Sequence, residues 1–444
     1  MPVTAFGLGL LLILVPLVPF NFLSLPAGPL YALGPVLRFL PFGICAGVTL
    51  VTVLHRQIHM GRSSDDLAFL VWGHLVVAAL AAVVGNDLPQ SLARAVYYFT
   101  TGELLILLAS WGIHGMRTVR RLIRLHVLCA LVVSIYAVAE MLLGVNLLRA
   151  CVFNGSNPLM SRFSNVAIGR AISTIGNPNP LGTYISMAVP FLLWSLSEAR
   201  RLWSRVLWAA ATATCLAALV LTFSRGAWIA CAVAMATCFG LRTRSLAWAG
   251  VVVAGLLVWA VHSGHAKSPY DEFVTNRESY SRTLAYPRAI RIQEAAPLLG
   301  GGVGSFSSSG VRSEERNRTP DNMYLLTLAE MGVAGLALRV GLLVFAASAF
   351  RHVSGPPSHS HACEHLGPEL RDGHSAAGGA LVMEMRCVGC ISVARAFLGA
   401  TLAMGISMLS WDALSFPTTR LVFFILIGLG CAAVKMPREA SQES

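Results

Sequence analysis

Charged residues are scarce in this sequence. Lys, Arg, Asp and Glu make up 12% of the 444 residues, whereas soluble domains contain roughly 25%. Hydrophobic residues make up 55%, and no polar stretch is long enough to form a soluble domain of its own. This composition excludes a soluble globular protein and indicates an integral membrane protein. We therefore expect membrane lipids, and no nucleic acid, among its partners.

Three sequence signals are absent. The chain contains no phosphate-cradling loop of the form Gly-x-x-x-x-Gly-Lys-Ser/Thr, and its main polar segment has no metal-ligand spacing. No nucleotide, metal or other cofactor is therefore predicted. The first apolar run, residues 3–25, has neither the basic leading segment nor the small-residue cleavage site of a signal peptide, so we expect a retained helix.

The ten cysteines do not suggest a disulfide framework. Seven are scattered, and six of these lie in or beside apolar runs, where Cys acts as a small apolar residue. The other three lie near His359, His361, His365 and His374 within residues 351–390, where Cys387 and Cys390 have zinc-knuckle spacing. We favour a flexible loop rich in Gly, His and Ser over a metal site, and absence of tight zinc binding would exclude the site.

Apolar runs of roughly 17 to 25 residues recur along the chain and are typical of membrane-spanning helices. The short basic links between them all fall on one side, which the positive-inside rule makes cytoplasmic, as it does both termini. The twelve predicted spans are residues 3–25, 33–54, 67–84, 96–113, 125–143, 180–196, 206–221, 227–240, 246–262, 322–350, 391–409 and 421–434.

This topology divides an all-α, polytopic protein into five parts. Residues 1–262 carry spans 1–9 with short loops, and residues 263–321 form a large outer loop. Residues 322–350 form span 10, and residues 351–390 form a cytoplasmic loop rich in His and Cys. Spans 11 and 12 and a cytoplasmic tail occupy residues 391–444.

The large outer loop carries the most distinctive motifs. In order, these are Arg282, Tyr286, the run Pro297-Leu298-Leu299-Gly300-Gly301-Gly302-Val303-Gly304-Ser305-Phe306, then Asp321-Asn322 and Glu330-Met331-Gly332. Two motifs precede the loop, Asn177-Pro178-Asn179-Pro180 and Ser224-Arg225-Gly226. Together they resemble the O-antigen ligase and polysaccharide polymerase superfamily. The chain departs from it at Asp321, where many members have His, and at Tyr286, where Trp is usual.

The resemblance implies a bacterial inner-membrane glycosyltransferase similar to the GT-C type, with a periplasmic site. Its donor would be a glycan on polyprenyl (undecaprenyl) diphosphate, and its acceptor lipid A core or a growing glycan. O-antigen ligation, polymerisation and protein O-glycosylation stay open. A transporter of a lipid or anionic solute is an alternative from another class. Two observations argue against a transporter. The predicted spans show no evident charged pairs in mid-membrane, and the two halves of the chain show no evident repeat of broken helices.

Arg225, Arg282 and Asp321 are the predicted catalytic residues. A guanidinium binds phosphate oxygens through two parallel N–H groups, so Arg225 and Arg282 would stabilise a departing diphosphate without a metal. Asp321 would take the proton of the acceptor hydroxyl. The alternatives are a snorkelling Arg225 that anchors a helix end, and an Asp321 that favours a helix dipole, with Thr319 as N-cap and Pro320 and Asp321 as first helical residues.

The other predicted contacts to substrate are Arg170, Asn177, Asn179, Tyr286, Arg288, Arg291 and Asn322. Some of these have a structural alternative. Arg288 and Arg291 would share a helix face that could lie on anionic lipid, and an Asn of the Asn177-Pro178-Asn179-Pro180 motif would cap a helix whose first turn holds a Pro. The Gly-rich run could offer N–H groups to phosphate, but we favour plain turns.

Overall fold

The computed structural model describes residues 3–18, 40–49, 65–85, 87–144, 146, 170–239, 285–308, 320–354 and 376–440, and of residues 65, 354, 376–392 and 435–440 it gives the backbone alone. Within these ranges the protein is helical and contains no β-strand, as the all-α prediction requires. The helices are α1 (Val3–Leu17), α2 (Leu40–Thr49), α3 (Asp65–Val84), α4 (Leu88–Thr100), α5 (Glu103–Gly112), α6 (Met116–Leu143), α7 (Pro178–Glu198), α8 (Leu202–Leu221), α9 (Arg225–Cys238), α10 (Tyr286–Ala295), α11 (Met323–Ser354), α12 (Ala376–Ser410) and α13 (Pro417–Ala440). Single helical turns lie at Ser173–Ile175, Ser305–Ser308 and Ala413–Ser415.

Seven helical stretches in the described ranges are long and apolar enough to cross a membrane, which supports a multi-pass protein. They are Asp66–Val84, Leu88–Gly112, Met116–Leu143, Leu202–Leu221, Met323–Val353, Val393–Ser410 and Pro417–Val434. Each overlaps one predicted span. Four further predicted spans are helical but shorter or less apolar (α1, α2, α7 and α9), and residues 246–262 lie outside the described residues. The total of twelve stays a prediction.

The segment rich in His and Cys is described only in part. Residues 355–375 lie outside the described residues, and α12 begins at Ala376, earlier than the predicted span at 391. No group of three or more metal-binding side chains occurs in the part of the chain whose side chains are described, and that part leaves out Cys387 and Cys390. The zinc site therefore stays untested.

Local sequence explains where several helices begin and end. The Asn177 carboxamide accepts the N–H of Asn179 at 3.0 Å and caps α7, whose first residue is Pro178. This confirms that an Asn of the motif caps a helix and that a Pro lies in its first turn. Asp87 caps α4 in the same way through the N–H of Gln90 at 3.2 Å. Helix α6 ends at Gly144, which has a φ of 65°.

The Gly-rich run is built into a break in α11. At Gly332 the backbone leaves the helical conformation, with φ 64° and ψ −165°. The N–H groups of Gly301 and Gly302 donate to the carbonyls of Ala329 and Glu330, at 2.9 and 3.0 Å. In return the carbonyls of residues 297 and 298 accept from the N–H groups of residues 333 and 334. The predicted turns are therefore confirmed, and the N–H groups of Gly300, Gly301 and Gly302 all donate within the protein itself.

Helix α12 is central to the packing, since it contacts α7, α9, α11 and α13. The apolar side chains of α13 from Leu421 to Leu429 are almost completely buried. Small residues allow close contacts: a Cβ added at Gly226 in α9 would lie 2.1 Å from the Ser410 hydroxyl oxygen at the end of α12. These contacts bring the start of α9 against the end of α12.

Candidate functional site

A cavity of about 300 Å³, called here the outer cavity, lies where α7, α9 and α10 begin and α12 ends. Five of the ten predicted site residues line it: Arg170, Asn179, Arg225, Tyr286 and Asp321. They come from four parts of the chain that are far apart in sequence. The fold therefore gathers motifs that the sequence shows only as separate stretches.

Arg225 and Asp321 place opposite charges on the outer cavity. Arg225 is the first residue of α9, and Asp321 lies two residues before α11. Both side chains are exposed, and both line the cavity. A carboxylate can accept a proton there, and a guanidinium can bind an oxyanion.

Asn322, rather than Thr319, caps α11. Its carboxamide oxygen accepts the N–H of Leu325 at 3.0 Å, and the helix begins at Met323. The prediction that Asp321 is the second helical residue is therefore wrong. Asn is as strong an N-cap as Ser or Asp, and a turn in which the N–H of Asn322 donates to the Pro320 carbonyl at 2.7 Å sets Asp321 outside the helix.

Arg170 holds the turn that precedes Arg225. The buried Arg170 side chain donates from Nε to the Thr222 carbonyl at 2.7 Å. Its Nη2 donates to Asn179 Oδ1 at 3.2 Å and to the Phe223 carbonyl at 3.4 Å. These bonds join the start of α7 to the start of α9. They support a positioning role for Arg170, while its predicted contact with substrate stays a prediction.

Backbone strain marks this turn. Phe223 has a φ of 48°, a conformation that costs a non-Gly residue of order 1–3 kcal/mol and persists only when its surroundings enforce it. Arg170 supplies part of that enforcement, and Trp228 adds to it by donating its indole N–H to the Leu219 carbonyl at 2.9 Å. The fold thereby fixes the backbone turn that leads into Arg225.

A second strained residue, Ser173, lies just before the Asn177 motif and has a φ of 52°. The buried Glu140 carboxylate accepts the N–H groups of Ser173 and Ile172 at 2.6 and 3.3 Å. Sequence reasoning missed Glu140. The signal that could have found it is a lone carboxylate near the end of a long apolar run, which needs a polar partner inside the membrane.

The arginines of α10 do not line the outer cavity. Arg288 donates from Nη2 to the Phe306 carbonyl, and its guanidinium carbon lies 4.5 Å from the centre of the Phe306 ring. Arg291 is exposed on the same helix. Arg282 lies outside the described residues. Contacts of these three side chains with substrate therefore stay predictions.

Two residues that the sequence did not single out also line the outer cavity: Leu409 and Ser410. Gly226 permits the close approach of α9 to Ser410. After Ser410, Trp411 donates its indole N–H to Thr183 Oγ1 at 3.0 Å and ties the end of α12 to α7. The only sequence signal for Leu409 and Ser410 was their position at the polar end of an apolar run.

A second cavity, of about 100 Å³, lies among α3, α4, α5, α11 and α13. Its lining includes three side chains from three spans, His74, Glu103 and Arg339, called here the buried network. Glu103 Oε1 lies 3.2 Å from His74 Nδ1 and 3.6 Å from Arg339 Nη2, and Arg339 Nη2 lies 3.1 Å from His74 Nε2. These contacts fit a neutral His74 with its proton on Nδ1.

The buried network corrects the sequence analysis. Its side chains are almost fully buried, and Glu103 and Arg339 form a charged pair within helices that are predicted to span the membrane. The expected absence of such pairs is therefore wrong. Their members lie more than two hundred residues apart, so sequence spacing gave no sign that they meet.

Comparison with known proteins agrees with the motifs. Residues 210–340 match a protein-family model described as O-antigen ligase. No curated protein matches the chain. The matched region contains Arg225, Tyr286 and Asp321 of the outer cavity. It also contains the broken helix α11 up to Val340. This match supports the O-antigen ligase-like superfamily as the family of the chain.

Proposed function

We propose that the protein is a membrane glycosyltransferase that moves a glycan from polyprenyl (undecaprenyl) diphosphate to an acceptor at the periplasmic face, with ligation of O-antigen to lipid A core as its reaction. The observation that carries the proposal is the convergence of Arg225, Asp321 and Tyr286 on one cavity at the predicted outer face. The proposal includes a bacterial inner-membrane location, twelve spans, cytoplasmic termini and a GT-C type architecture.

The outer cavity has the groups that such a transfer needs. A diphosphate leaving group carries negative charge, and the exposed Arg225 guanidinium supplies a fixed positive charge where that charge develops. The Asp321 carboxylate lines the same cavity and supplies a base. Tyr286 adds an aromatic ring with a hydroxyl, which suits contact with a sugar.

The proposed reaction is a single displacement. The acceptor hydroxyl oxygen attacks the anomeric carbon and forms the new glycosidic bond, while the bond from that carbon to the diphosphate oxygen breaks. The electron pair leaves with the diphosphate, which Arg225 and Arg282 stabilise, and Asp321 takes the hydroxyl proton. Attack opposite the leaving group inverts the configuration at the anomeric carbon.

Reconstitution tests the proposal. The purified protein is mixed with polyprenyl-diphosphate glycan and with lipid A core, a second lipid-linked glycan or a protein acceptor, and the product is identified by mass spectrometry. Transfer to lipid A core supports ligation, and transfer to a second lipid-linked glycan identifies a polymerase instead. Absence of transfer to any acceptor from an otherwise folded protein would reject the glycosyltransferase.

Metal removal is a second test of the same mechanism. Because guanidinium groups replace the cation that often accompanies a diphosphate leaving group, chelator is expected to leave the rate of transfer unchanged. The same reaction is followed with chelator alone and with chelator plus excess magnesium. Strict dependence on magnesium would reject the roles of Arg225 and Arg282.

A transporter is the second candidate, and the buried network is the observation that favours it. Charged pairs inside spans often mark ion or substrate paths. The two functions differ in their need for a gradient. Transfer of glycan between two lipids in detergent, where no gradient exists, supports the enzyme, whereas movement of lipid across a vesicle membrane without any transfer would favour the transporter.

A further inference from the structure

A further cavity lies at the end of α7 opposite the outer cavity. It measures about 410 Å³ and forms where α7 ends, α8 begins and the first half of α6 passes. Helix α7 has 21 residues, so the two cavities are separated by roughly 30 Å along it. That distance matches the thickness of the membrane interior, and the cavity therefore belongs to the opposite membrane face.

This cavity, called here the basic cavity, is lined mainly by positive charge. Arg124, Arg200 and Arg201 line it, and all three side chains are exposed. The one carboxylate among its described lining residues is Glu198, whose Oε1 lies 3.7 Å from Nη2 of Arg120. Since Glu198 already faces Arg120, the basic cavity keeps an excess of positive charge.

Arg124 extends this positive charge onto α6. It lies about two turns into the helix, exposed and directly before the predicted span that begins at residue 125. An arginine near the membrane surface is attracted to anionic lipid headgroups. A negatively charged group placed in the basic cavity would meet Arg124 together with Arg200 and Arg201.

Apolar and aromatic groups flank the arginines. The indole N–H of the buried Trp194, which lines the cavity, has no hydrogen-bond partner in the described part of the chain. Next to the cavity, α8 exposes Leu202, Trp203 and Leu207, with exposed fractions of 75%, 80% and 70%. A soluble anion would use the arginines alone, whereas an anionic amphiphile would use both the arginines and this apolar surface.

We propose that the basic cavity binds the headgroup of an anionic glycerophospholipid from the membrane leaflet at this face. Arg124, Arg200 and Arg201 contact the headgroup phosphate, and the acyl chains lie along the exposed side of α8. This site is separate from the proposed transfer reaction and does not depend on it.

Lipid binding by the full-length purified protein tests the proposal. Native mass spectrometry measures retained lipid after addition of phosphatidylglycerol or phosphatidylcholine, with and without excess inorganic phosphate. Phosphatidylglycerol is expected to be retained over phosphatidylcholine, and inorganic phosphate is expected not to displace it. The double variant Arg200→Gln/Arg201→Gln is expected to weaken phosphatidylglycerol binding by roughly thirtyfold, because each arginine near a membrane surface contributes about fivefold.

The matched control is Arg117→Gln/Arg121→Gln. It removes two exposed positive charges near the start of α6, and neither residue lines the basic cavity. This control is expected to keep wild-type retention of phosphatidylglycerol. Equal losses in both double variants would show diffuse attraction instead of a site. Two results on the wild-type protein would also overturn the proposal: equal retention of phosphatidylglycerol and phosphatidylcholine, or displacement of phosphatidylglycerol by inorganic phosphate. Neither result depends on whether the variants fold.

Discussion

The outer cavity and the buried network use the same kinds of side chain in opposite ways. In the outer cavity, Arg225 and Asp321 are exposed and come from chain segments next to helix starts. In the buried network, Glu103 and Arg339 are nearly inaccessible and contact each other and His74. Charges buried against one another inside the bundle hold helices together, and exposed charges that line an open cavity can meet a substrate. Substitutions should therefore separate loss of activity from loss of stability.

The largest expected effect concerns Asp321. Asp321→Asn removes the proposed base and is expected to lower the rate of transfer by about 10²- to 10⁴-fold. Because the side chain is exposed, the free energy of unfolding should change by no more than about 0.5 kcal/mol. Initial rates and denaturation in mixed micelles measure the two quantities. A near-wild-type rate would show that Asp321 is not the base.

The variant Asp321→His sharpens this test through its pH dependence. A base works only when it is unprotonated, so the rate falls as pH drops through its pKa. The unperturbed pKa is about 6.5 for His and about 3.9 for Asp. The His variant is therefore expected to keep measurable activity, with the acid side of its pH–rate profile moved to higher pH. An unchanged acid side would contradict the role of residue 321 as the base.

Glu103→Ala is expected to have the next largest effect, and on stability instead of chemistry. Removing one member of a buried charged pair leaves the other uncompensated and typically costs about 3–5 kcal/mol. The measurement is the free energy of unfolding in mixed micelles. Asp66→Ala, which removes an exposed carboxylate from α3, is the control and should cost less than about 0.5 kcal/mol. Equal small losses in both variants would mean that the buried network contributes little.

Arg225→Lys tests geometry at constant charge. Lys keeps the positive charge but cannot offer two parallel N–H groups to a phosphate, so transfer is expected to fall by about a hundredfold. Arg117→Lys, at an exposed arginine at the start of α6, should keep the wild-type rate. If Arg225→Lys is fully active, a point charge is sufficient and the bidentate contact is not required.

The smallest expected effect concerns the cap of α11. Asn322→Ala removes the bond to the N–H of Leu325 and is expected to lower the free energy of unfolding by about 1 kcal/mol. Asn322→Asp keeps an acceptor at that position and should restore most of this loss. Thermal unfolding compares the two variants. An Asp variant as unstable as the Ala variant would show that the capping bond is not the cause.

The sequence predicted local features well, and contacts across the bundle poorly. The cap at Asn177, the turns of the Gly-rich run and the positions of seven apolar helices follow from local preferences. The motifs also predicted a shared site for Arg225 and Asp321, and the two line one cavity. At the start of α11, two adjacent segments could each supply a cap, and local preference alone chose the wrong one.

What the sequence could not show depends on packing between distant segments. The partners of Glu103 lie on two other helices, and no periodic pattern links them. The positioning bonds of Arg170 also join separate helix starts. Arg170 was therefore predicted only as a contact to substrate, although three of its hydrogen bonds go to other groups of the protein.

The break in α11 also constrains the order of assembly. Until residues 297–302 of the outer loop dock, the carbonyls of Ala329 and Glu330 and the N–H groups of residues 333 and 334 lack the partners that the finished fold gives them. Unsatisfied backbone groups inside a bilayer cost several kcal/mol each, so the broken conformation of α11 is not stable without the docked segment. The break and the docked segment must consequently form together, and this docking divides the predicted outer loop into two shorter segments, each with a lower entropy cost of closure.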